Sequence, residues 1–131
     1  MSEKFWKRMW LAAVWHNVIG VVVLVFGRNW IYTSAGLPAP APILSLHYGT
    51  WIGLVGVFGV AYYEVYRNMY KTRDLVVVGI LGRITSATPQ LVYFLLYRDQ
   101  YPPMLIAPIF TDYIFAFLYW RFLKFLDQRS A

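Results

Sequence analysis

The sequence predicts an all-α integral membrane protein, an antiparallel four-helix bundle forming one domain over residues 1–131, and three observations carry that reading. Hydrophobic residues make up 60% of the chain and aromatic ones 20%, against 14% charged. A soluble domain this small would leave much of that surface against water. Four runs almost free of charge lie at 9–26, 43–63, 75–97 and 104–120, each long enough for a helix to cross a hydrocarbon layer of ~30 Å. Lysine and arginine are segregated between the connecting segments, as they are in membrane helices of fixed orientation. Cysteine is absent, which excludes a disulfide scaffold, a thiolate metal site and a cysteine nucleophile; the apolar content excludes a disordered chain.

The first run follows Lys4, Lys7 and Arg8 in the manner of a signal peptide. It is longer than the usual ~7–15 apolar residues and passes into Phe26-Gly27-Arg28-Asn29-Trp30 without a small-residue cleavage pattern, so a retained span is expected. The segment from Gly27 to Pro42 ends in Leu37-Pro38-Ala39-Pro40-Ala41-Pro42. Alternating proline there predicts stiff polyproline II, serving as a spacer or as a recognition segment. In the second run Gly49, Gly53, Gly56 and Gly59 draw a stripe down one helical face, where backbones can approach closely. The stripe lacks the Lys and Ser/Thr of a phosphate-binding loop. Eleven residues from Glu64 to Asp74 and six from Arg98 to Pro103 are short connections that make neighbouring helices antiparallel.

Orientation follows from the basic residues. Lys4, Lys7, Arg8, Arg67, Lys71, Arg73, Arg121, Lys124 and Arg129 fall on one side and Arg28 and Arg98 on the other, which places both termini in the cytoplasm. Most of the +6 net charge is thereby a topology signal and an attraction to anionic lipid head groups in the bilayer, not a nucleic-acid footprint.

The third and fourth runs contain Arg83 and Asp112. A charge in hydrocarbon costs ~2.5–3.5 kcal/mol even on lenient scales and rarely faces lipid. Their depths differ by about one helical turn, which an extended arginine can span, so an ion pair is expected, structural or functional. His16 and Asn17 lie near the level of Arg83 and are candidates for one cluster with Thr85, Ser86, Gln90 and Tyr113. His47 opens the second run ~15 Å or more from His16 in depth, too far for both imidazoles to hold one haem iron or one metal. No metal and no other cofactor is expected. Pro89 and Pro108 are expected either to shape packing or to break the hydrogen-bond ladders of their helices and splay them. Splaying would open a cavity with Arg83 and Asp112 near its floor and Tyr93, Phe94, Phe110 and Tyr113 as lining.

No His-Glu-x-x-His, Gly-x-Ser-x-Gly, Asp-rich pair or Cys-His pairing is present, and Asp112 is the only carboxylate within the apolar runs, so catalysis is not expected. Four spans are few for an alternating-access transporter in one chain. In its four-span layout, its Tyr62-Tyr63-Glu64-Val65-Tyr66-Arg67 exit, its Gly79-Ile80-Leu81-Gly82-Arg83 segment and Phe115-Ala116-Phe117 after Asp112, the chain resembles the small four-helix bacterial inner-membrane proteins called DoxX-like. The resemblance implies a bacterial inner (cytoplasmic) membrane and an accessory role beside a membrane enzyme or redox system. Two functions compete. One is a non-catalytic accessory or assembly subunit, associating with other membrane subunits through the glycine stripe and the Pro-rich segment. The other is binding or translocation of an amphipathic lipid, a quinone-like molecule or a proton through the Arg83, Asp112 and His16 cluster, in a homo-oligomer.

Overall fold

In the computed structural model the described residues are 2–34, 36, 38, 42–101 and 103–130. Among them all regular structure is helical: α1 Glu3–Phe26, α2 Arg28–Ser34, α3 Pro42–Arg67, α4 Arg73–Leu96, two 3-10 turns at Arg98–Gln100 and Pro103–Leu105, and α5 Ile106–Ser130. Three helices, α1, α4 and α5, are long and apolar enough to cross a membrane. The second predicted run is helical as well, within the 26 residues of α3, though side chains 42–45 lie outside the described residues.

The long helices overrun the apolar segments because a charge ends a hydrophobic run without ending a helix. Lys, Arg, Glu and Leu are good helix formers. Ser2 caps α1 by accepting from the Phe5 N–H at 3.3 Å, with Glu3 in the first turn where an acidic group complements the helix dipole. At the far end the Gly27 N–H returns to Val23 O at 2.7 Å. A Cβ at Gly27 would come 2.5 Å from that oxygen, so the sharp turn into α2 takes glycine.

The helix α2 departs from the expected connection. Its Thr33 and Ser34 hydroxyls bond back to Asn29 O and Ile31 O, and buried Ile31 anchors it. Residues 37 and 39–41 of the Pro-rich segment, expected to be polyproline II, lie outside the described residues. Of the two expectations for the prolines, a broken helix is not what the structure has. Pro108 stands in the first turn of α5, where no intrahelical N–H bond is lost, so it breaks no ladder. Pro89 is inside α4, which continues unbroken to Leu96.

At the end where α1 begins and α5 ends, one aromatic core joins all four long helices: Trp6 and Trp10 of α1, Tyr62 of α3, Val76 of α4, Tyr119 and Phe122 of α5. Trp10 stacks on Tyr119 at 4.3 Å between centroids and meets Phe122 edge-on at 5.5 Å. Lipid tails are as apolar as these rings, so close packing and ring geometry hold this end rather than escape from water. Around it the Tyr70 hydroxyl donates to Glu3 Oε2 at 2.8 Å and accepts from Arg129 at 2.7 Å. The Glu3 carboxylate thereby holds the Tyr70 phenol above its ordinary pKa. These groups are exposed and add little stability.

Toward the opposite end the helices separate into two pairs. α1 stays with α3, where the Tyr48 hydroxyl donates to Leu24 O at 3.1 Å, and α4 stays with α5 around Ala87, Ile109 and Tyr101. A cavity of about 380 Å³ lies between the pairs.

Candidate functional site: a buried arginine under a cavity

The site begins with two glycines of α4. A Cβ at Gly82 would come 2.5 Å from the Phe58 ring, and one at Gly79 would come 2.9 Å from the Tyr62 ring. Their bare faces let aromatic rings of α3 lie against the α4 backbone. The next residue, Arg83, then reaches into the space where all four long helices meet, and only 6% of it is exposed.

Arg83 Nη1 donates to Asp112 Oδ1 of α5 in a buried ion pair, and Asp112 is 7% exposed. The same nitrogen lies 3.2 Å from His16 Nδ1, and Nη2 donates to Asn17 Oδ1 at 2.6 Å. The guanidinium faces the rings of Tyr62 and Phe115, each centroid 5.0 Å away, a geometry in which a cation is attracted by the ring quadrupole.

These contacts set the direction of the surrounding hydrogen bonds. Arginine has no acceptor, so His16 Nδ1 accepts and the imidazole proton sits on Nε2. Nε2–H then donates to Thr111 Oγ1 at 3.2 Å, and the Thr111 hydroxyl donates to Pro108 O at 2.9 Å. Asn17 is fixed likewise, its Nδ2 donating to Val55 O at 2.8 Å. That bond needs α1 close to α3, and Gly59 permits it, for a Cβ there would lie 3.3 Å from the Asn17 Cβ.

Arg83, Asp112, His16 and Asn17 are thus brought together as the sequence suggested, and all four border the cavity with Ser86 and Gln90. Gln90 donates to Ser86 O at 3.0 Å and accepts from Tyr101 at 3.3 Å. Tyr113 does not join them, since its hydroxyl pairs with exposed Thr88 at 3.0 Å. Nor do Tyr93, Phe94 and Phe110 form the lining. Phe110 is two residues before Asp112, ~200° around the helix, and is exposed; Tyr93 lies against Tyr97 and Phe94 against Tyr101. The walls are instead Val23 and Leu24 of α1, Ile31 of α2 and Trp51, Val55 and Phe58 of α3.

Within the chain the glycine stripe is used unevenly. Gly59 makes the close approach to α1 and Gly56 lies 4.0 Å from Val21, whereas a Cβ at Gly49 or Gly53 would meet nothing within 4 Å. His47 is exposed on α3. Among the described residues no three His, Asp or Glu side chains converge in a way that could hold a metal. Thr111, Tyr62 and Phe115 were missed as members of the site. Only the polarity of Thr111 beside Asp112 signalled one of them.

Helical throughout its regular structure, with three helices able to cross a membrane and a charged pair buried where the long helices meet, the chain is a membrane protein with a polar-floored cavity. Comparison with family models, with curated proteins and with solved structures finds no match.

Proposed function

We propose that the protein binds one amphipathic, lipid-like or quinone-like molecule in the cavity between the two helix pairs. The observation that carries this reading is the cavity itself, with apolar walls and a floor made by Arg83, Asp112, His16 and Asn17. Its volume of about 380 Å³ is at the small end of ligand sites, suited to a polar head and the first part of a tail. The membrane placement we favour is a four-helix bundle with both termini in the cytoplasm, in a bacterial inner membrane, supported by the asymmetry of lysine and arginine and by the DoxX-like resemblance.

Native mass spectrometry after gentle purification tests the reading. A retained small molecule is expected, and its loss on Gly20→Leu. Gly20 borders the cavity, and a Cβ there meets nothing within 4 Å, so a side chain has room to start from that position and take up cavity space. A wild-type protein that carries nothing would overturn the proposal.

One observation favours the accessory-subunit reading as a second possibility. Among the described residues a Cβ at Gly49 or Gly53 would meet nothing within 4 Å, and small residues admit a helix of another subunit. A stoichiometric partner lost on Gly53→Leu would establish it.

A further inference from the structure

We infer that the head group accepted at the cavity floor is neutral and donates a hydrogen bond, an alcohol or phenol rather than a carboxylate or phosphate. This rests on the ligand-binding reading above. Two features of the floor carry it, its charge balance and the way Arg83 is already occupied.

The floor carries no net charge. Arg83 and Asp112 neutralise each other, His16 holds a single proton on Nε2 because Nδ1 accepts from Arg83, and Asn17, Ser86 and Gln90 are uncharged. An anionic head would bring an uncompensated charge between apolar walls, which is strongly unfavourable.

Arg83 offers an anion no fork. Both Nη1 hydrogens are directed at Asp112 and His16, and Nη2 gives one of its two hydrogens to Asn17, which leaves a single Nη2 N–H. Nε is enclosed without a partner, and the Tyr62 and Phe115 rings lie against the guanidinium. The paired N–H bonds that grip a carboxylate or phosphate are therefore out of reach unless Asp112 is displaced.

Beside that single Nη2 N–H, the floor leaves over acceptor capacity. Asp112 borders the cavity, yet among the described residues only its Oδ1 is hydrogen-bonded. Oδ2 is not among the enclosed unpartnered atoms. A hydroxyl head can donate to that oxygen while its tail follows Val23 and Val55. A quaternary ammonium head has no hydrogen to donate and would add a second cation beside Arg83.

Three photoreactive probes test this on the intact purified protein: a long-chain alcohol, the matching carboxylate and the matching trimethylammonium, each with a diazirine at the same chain carbon. Labelling is mapped by peptide mass spectrometry. The alcohol should label the walls around Val23, Trp51 and Val55 about tenfold more than either charged probe, the scale of one hydrogen bond to a charged group. Unlabelled hexadecanol should compete and palmitate should not. Folded Asp112→Asn should lose about tenfold in alcohol labelling for the same reason; unchanged labelling would overturn the inference. Should that variant not fold, the wild-type competition decides. Carboxylate or ammonium labelling equal to or above the alcohol would sink the head-group inference and leave the binding reading standing. Absence of saturable wall labelling by all three would sink both.

Discussion

Replacing Asp112 by asparagine keeps the shape of the side chain and removes the one carboxylate paired with Arg83. The arginine would keep Asn17 at 2.6 Å and His16 at 3.2 Å, and the new amide oxygen could still accept from it, but the counter-charge would be gone. Both partners are over nine-tenths buried, and breaking a pair so placed costs about 3–5 kcal/mol. The retained hydrogen bond puts Asp112→Asn at the lower end, about 3 kcal/mol. Arg83→Leu should cost about as much, leaving Asp112 as a lone buried charge. The double variant Arg83→Leu/Asp112→Asn strands no charge; what it loses is the arginine's bonds to Asn17 and His16, for a total near 3 kcal/mol instead of the roughly 6 kcal/mol that additivity gives. Unfolding by added sodium dodecyl sulfate in dodecylmaltoside micelles, followed by circular dichroism, measures all four proteins. Additive losses would refute the view that the two charges depend on each other.

Other substitutions probe the supports of the site. Gly82→Ala should lose about 1–3 kcal/mol by driving a methyl group into the Phe58 ring, with recovery in Gly82→Ala/Phe58→Leu, in the same unfolding assay. Gly53→Ala should change the stability of the isolated chain by less than about 0.5 kcal/mol, whereas Gly59→Ala should push Asn17 from Val55 and cost about 1–2 kcal/mol. Trp10→Ala, at a fully buried position, should cost about 3–5 kcal/mol. Alkaline phosphatase should be active when fused between Gly27 and Pro42 or near Asp99, and a fluorescent protein should fluoresce after Ala131; the reverse pattern would overturn the orientation.

The helices were legible in the sequence because uncharged runs of this length have few alternatives, but their ends were not. Glu3 to Arg8 and Arg121 to Arg129 are helical although charged, since hydropathy reports where lipid could lie and not where a backbone stops coiling. α2 was illegible for another reason. Its Trp30, Ile31, Tyr32 and Thr33 are poor helix formers in isolation, and it is held by the tertiary burial of Ile31. Arg83 and Asp112 could be found from the cost of charge in an apolar run, and the shared depth of His16 and Asn17 pointed to their company. Depth alone could not choose the lining, which depends on rotation about each helix. Phe110 was excluded by ~200° of helical phase from Asp112, a test available from the sequence. Gly79 and Gly82 gave no sign of their role, because only the position of the α3 rings makes their missing side chains matter.

The convergence of four helices on Arg83 bears on the order in which the chain can be assembled. His16 and Asn17 are made early, whereas Asp112 follows Arg83 by 29 residues, on a later helix. If α4 entered the bilayer alone, it would carry an unmatched cation costing ~2.5–3.5 kcal/mol, and α5 alone would carry an unmatched anion of similar cost. Entering together, joined by the short connection through the two 3-10 turns, each cancels the other's charge. Biogenesis would then proceed through a late hairpin docking on an earlier α1–α3 pair, whose Asn17, already oriented by Val55 O, waits as a receptor for the arginine.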